Sequence, residues 1–318
     1  MNLGRFGLST PALAGFFVFV ACVLLTGCTT PQVSSLEQRW PTDIATKAEV
    51  KNVPFFPQED YECGPAALSM VFHAAGVRVL PEQLVDQVYL PGRKGSLQVE
   101  MLVASRRNGL PAYPLKPELE AVLREVAAGN PVLVFQNLSL PIYPVWHYAV
   151  VIGFDRNRNM LILHSGRTPR MEMSLNTFER TWARGEYWSM VALAPGRLPV
   201  TAQPDAYAQS VAALERINPK AAQTAYAAAL KKWPIQRALL FGSGNTAYAL
   251  GQLPAAATAY RATVQAHPDF ADGWNNLAQV QLELGKRREA TDAITRAVAL
   301  GGVRLPQYLE LQQKIAAK

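Results

Sequence analysis

Thiols are scarce in this sequence. Its 318 residues hold three cysteines, Cys22, Cys28 and Cys63, too few for a disulfide scaffold. There are four histidines, His73, His147, His164 and His267, and no Cys or His pair has metal-ligand spacing, so no metal and no cofactor is expected. The 31 Lys and Arg against 24 Asp and Glu are scattered, and a net charge of +7 without a basic run does not make a nucleic-acid surface. The apolar run Ala12 to Leu25 is too short to span a bilayer as a helix. What remains is a globular composition, 49% hydrophobic and 17% charged, long enough for two domains.

The N-terminus sets the compartment. Arg5 precedes the apolar run, which ends at small residues, the pattern of a secretion signal. Leu25-Thr26-Gly27-Cys28 resembles a bacterial lipobox. The resemblance implies cleavage after residue 27 and a diacylglycerol on Cys28. It also implies sorting by the non-Asp Thr29 to the outer membrane of the cell envelope, facing the periplasm. An uncleaved anchor is the alternative, and either way a membrane is a partner. Residues 28–50, polar with Pro31 and Pro41, read as a tether. Cys63 is then the one unmodified thiol of the mature chain, a liability in an oxidising compartment unless it is used.

Residues 51–195 carry helix signals first and strand signals after them, an α+β pattern. The apolar spacing predicts helices over 63–75, 97–107 and 117–128 and strands over 132–135, 147–154, 160–164 and 188–192. Pro195-Gly196-Arg197-Leu198-Pro199 marks a boundary. Residues 196–318 are Ala-rich and match themselves at a shift of 34, with Gly251 on Gly285, Ala256 on Ala290 and Tyr226 on Tyr260. That period resembles tetratricopeptide repeats, an all-α solenoid of about three repeats over 203–304 with a capping helix after it. Such an array is expected to hold a protein partner, although repeats specify architecture rather than a ligand.

The chemistry gathers around Cys63. A cysteine opening a helix meets the positive end of the macrodipole, which favours thiolate. The Gln58 amide, in the preceding loop, and the Cys63 N–H are suited to an oxyanion. His73 lies about 15 Å further along the same helix. His147, opening a strand, is the better general base.

Gln58…Cys63-Gly64-Pro65-Ala66, Gly95-Ser96-Leu97, Ala128 to Val134 and His147 to Asp155 together resemble the bacteriocin-processing cysteine peptidases, over residues 51–192. The resemblance implies a papain-like fold that hydrolyses a peptide or protein substrate. It assigns Cys63 as nucleophile, His147 as general base and Gln58 as oxyanion donor. The family carries an Asp at the end of the next strand to orient the His. Here Ser165 stands in that place, with His164 beside it, and both are candidate orienters. Tyr143 and Trp146, just before His147, are candidates for substrate contact. Two rival readings remain: a degenerate peptidase serving as a binding module with a repeat scaffold, and an acyl or amide transferase using the same thioester chemistry.

Overall fold

In the computed structural model of the chain, residues 30–57, 63–93 and 95–317 are described. Cys28 and Gln58 lie outside the described residues. The N-terminal half is built on one antiparallel sheet. Its strands are β1 (Lys47–Glu49), β4 (Ala112–Pro114), β5 (Val132–Asn137), β6 (Trp146–Asp155), β7 (Met160–Ser165), β8 (Thr168–Ser174) and β9 (Ser189–Ala192), while β2 (Tyr89–Leu90) and β3 (Gly95–Ser96) form a separate hairpin. The order across the sheet is β4-β9-β5-β6-β7-β8. The short β1 pairs with the far end of β6, Lys47 opposite Asp155.

The central strands are apolar on both faces because both faces are covered. One face carries Leu133, Tyr148, Val150, Ile152 and Met190 and packs on helix α2 (Cys63–Ala74), with α3 (Pro81–Val88) and α4 (Gln98–Arg107) behind it. The other carries Val134, Ala149, Val151 and Leu163 and packs on α5 (Leu119–Ala127) and α6 (Leu175–Ala183). Helices and sheet thus form the α+β fold that the sequence pattern indicates.

Much of the stretch read as a tether, among the described residues, is folded. Pro31–Gln38 is helix α1, with Val33 and Leu36 buried in the α5/α6 core. The Glu179 carboxylate of α6 accepts the backbone N–H groups of Gln32 at 3.0 Å and Val33 at 2.7 Å, the unpaired amides of the α1 N-terminus. Composition did not show this, because α1 has two buried apolar residues and owes its order to a carboxylate distant in sequence.

Beyond the Pro195–Pro199 boundary come six helices in three hairpins and a seventh helix: α7 (Pro204–Glu215), α8 (Pro219–Lys232), α9 (Arg237–Ala249), α10 (Leu253–Ala266), α11 (Ala271–Glu283), α12 (Arg287–Leu300) and α13 (Leu305–Ala317). Tyr226 and Tyr260 lie against Gly242 and Gly244, where a Cβ would collide with each ring. The repeats are joined to the sheet half by a shared core: Tyr207, Val211, Ala222, Tyr226 and Leu239 belong to the cluster that holds Leu119 and Trp182. A buried Glu125 fastens the connection, accepting Thr201 N–H at 2.8 Å and Asn130 Nδ2–H at 2.7 Å, while Arg197 donates to Asn130 Oδ1 at 2.7 Å.

Candidate active site

Cys63 is the first residue of α2, and its partly buried side chain packs against the cluster around Tyr148. The thiol lies at the N–H of Tyr148, the peptide that links it to His147, and at the N–H groups of Gly64 and Cys63 itself. The fold therefore brings Cys63 and His147 to one end of β6. Gly64 is required beside Cys63, because a Cβ there would collide with the Ser96 side chain. Tyr148 Oη donates to the Ser96 carbonyl at 3.2 Å, which pins the β2–β3 hairpin against the start of α2.

His147 reaches across the sheet to Ser165, with Nε2 and Oγ 2.8 Å apart. The register explains the pairing. Val150 is opposite His164, so continued pairing places Ser165 opposite Ala149, on the His147 side of the pleat and diagonal to it. The hydroxyl takes Nε2 of the ring. Ser165, one of the two candidate orienters, is thus hydrogen-bonded to His147.

His164 does not. Its side chain alternates to the opposite face, where Nε2 donates to the Val53 carbonyl at 3.2 Å and Nδ1 accepts the Arg170 N–H at 3.2 Å. Both nitrogens are occupied and its ring lies 5.3 Å from Phe55, a structural role. His73 bonds the Ser69 carbonyl at 2.9 Å through Nδ1. Asp155 pairs with Lys47 at 3.2 Å at the other end of β6, about 26 Å from His147. Among the described residues no carboxylate is hydrogen-bonded to His147.

The electrostatics correct one expectation. The helix N-terminus does not produce a thiolate here: burial pushes the Cys63 thiol above its ordinary value, against three N–H groups that lower it. Burial likewise lowers His147 to about 4. Burial thus favours the neutral form of each group.

The segment before His147 is unusually apolar for a surface loop. Ile142 and Tyr143 are about three-quarters exposed, at 76% and 75%, with Leu140, Val145 and Trp146 beside them. Trp146 stacks on Phe135 at 5.1 Å. Trp182 is core, wholly buried against Phe178 and Tyr187. Trp188 meets the Tyr148 ring edge-on at 5.9 Å. Sequence reasoning missed Gln136, directly opposite His147 on β5. Only the strand register could have found it.

Residues 50–190 match the model of the Peptidase_C39 like family. They form a C39-like peptidase domain. Residues 207–269 and 241–303 each match the tetratricopeptide repeat, so the helical half is a tetratricopeptide array behind the C39-like domain. Among solved structures, a C39-like peptidase from Bacillus anthracis aligns with 46% of this chain and 97% of its own. It shares 17% identity, with a TM-score of 0.39. Comparison with curated proteins gives no match.

Proposed function

We propose that this protein is a membrane-anchored cysteine peptidase. The observation that carries the reading is the Cys63 thiol at the backbone N–H of Tyr148, the residue after His147, whose Nε2 is hydrogen-bonded to Ser165. In the proposed reaction Nδ1 of His147 takes the Cys63 proton as sulfur attacks the scissile carbonyl carbon. The Cys63 N–H and the Gln58 amide hold the oxyanion. The intermediate collapses to a thioester as the imidazolium gives its proton to the leaving amine. Water, deprotonated by His147, then releases the acid and restores the thiol. The exposed apolar loop at 138–146 offers substrate an apolar wall, and the array recruits the substrate protein or a partner. Acylation at Cys28 would hold the molecule at the outer membrane, on its periplasmic side.

The test is Cys63 labelling by iodoacetamide in the full-length chain, followed by mass spectrometry of the Cys63 peptide. A rate that falls at least about tenfold in His147→Ala supports the pair. A slow rate indifferent to that substitution removes the peptidase reading. It would leave the second reading, a binding module derived from a peptidase, which the absence of a carboxylate on His147 among the described residues favours.

A further inference from the structure

Among the described residues His147 has no charged partner, yet in the proposed reaction it must become a cation within the protein. Ser165 answers only part of that need. A hydroxyl can accept from Nε2–H or donate to bare Nε2, so it does not by itself select the tautomer in which Nδ1 is the base. A positive charge is also close by, because Arg184 Nε donates to the Asn137 carbonyl at 3.1 Å, on the next residue of β5 after Gln136.

Gln136 supplies what is missing. It is fully buried and directly opposite His147 in the β5–β6 register. Opposite residues share a face of the sheet, with Cβ atoms about 5 Å apart. Its amide is held one way round. Nε2 donates to Thr181 Oγ1 at 2.6 Å, and the Thr181 hydroxyl hydrogen is engaged by the carbonyls of Thr177 and Phe178 at 3.1 and 2.9 Å. The amide nitrogen therefore belongs on the Thr181 side, and Oε1 is the end left over. Among the described residues that oxygen is buried with no hydrogen-bond partner. An orphan acceptor in a core calls for an explanation, and beside a residue that gains a proton during turnover it has one.

We propose that Gln136 is a positioning residue of this site, its unpartnered carbonyl oxygen stabilising the charge that His147 acquires on taking the Cys63 proton. The inference rests on His147 acting as the base. Ser165 and Gln136 flank the ring from β7 and β5 and together replace a single carboxylate.

Three variants of the full-length chain test it: Gln136→Met, Gln136→Glu and Thr181→Val. Two readouts apply, the Cys63 labelling rate and the ring titration of His147 followed by NMR with isotope-labelled histidine. Gln136→Met should slow labelling about tenfold, and Gln136→Glu should restore it and move the His147 titration upward. Thr181→Val, which loses the same hydrogen bond but keeps the oxygen, should label within about twofold of the unaltered protein. A structural role alone predicts that Gln136→Met and Thr181→Val lower the Tm alike and leave labelling and ring titration of the folded protein unchanged. That result would overturn the proposal. Failure of the peptidase reading is recognised separately, by labelling that ignores His147→Ala.

Discussion

At the scale of single residues, the site is set by what burial does to two titrating groups. A thiol pushed up and an imidazole pulled down give a neutral pair whose reactivity is a general-base property. Labelling of the free protein should therefore keep climbing as pH rises past 8, without the neutral-pH plateau of a preformed thiolate–imidazolium pair. Ser165→Asp should raise the labelling rate at pH 7 by about tenfold or more, because a carboxylate accepts only from Nε2–H and favours the imidazolium. An unchanged rate would show that Ser165 does not govern the ring. The lowered His147 also makes stability depend on acid. Its unfolded value is near 6.5 and its folded value about 4, so the unfolded chain binds the extra proton between them. Stability is full above pH 6.5 and falls as pH drops toward 4, by at most ~3 kcal/mol. Urea unfolding at pH 7 and pH 4.5 should show a smaller difference in His147→Gln than in the unaltered chain.

At the scale of elements, legibility followed local pattern. The helix at Cys63 and the strand at His147 were plain because each repeats apolar residues at its own period, and each ends within a residue or two of where the spacing put it. Helix α1 was illegible: Pro31–Gln38 has too few apolar residues to show a period and is held by Glu179. Strand β8, mostly polar and solvent-facing, was invisible for a like reason, and it follows β7 through a two-residue turn at Gly166. The roles of His164 and Ser165 could not be separated from composition, since only the register decides which face each takes. Glu179→Ala should leave two buried amides unpaired and cost about 2–3 kcal/mol in urea unfolding, with faster amide exchange across 31–38. Equal exchange in both proteins would show that α1 is held by Val33 and Leu36 alone. Gly64→Ala should cut the Cys63 labelling rate by driving Ser96 or the first turn of α2 aside, with the fold retained on circular dichroism.

At the scale of the whole molecule, the boundary at Pro195–Pro199 divides sequence composition but not the core. Deleting residues 196–318 should leave an insoluble or partly unfolded C39-like domain, whereas cutting after Leu300 removes only α13 and should spare the site. A fragment ending at 195 that unfolds cooperatively with the Tm of the full chain would refute the shared core. The same feature has a consequence for biogenesis. The flank of the sheet domain stays bare until Leu239 has left the ribosome, on the order of seconds after residue 195 at ordinary synthesis rates. Cys63 is translated early but its surroundings are completed late. A nascent chain stalled before that point would carry its cysteine in an unfinished cradle, so the sheet domain matures only when the array behind it is well under way.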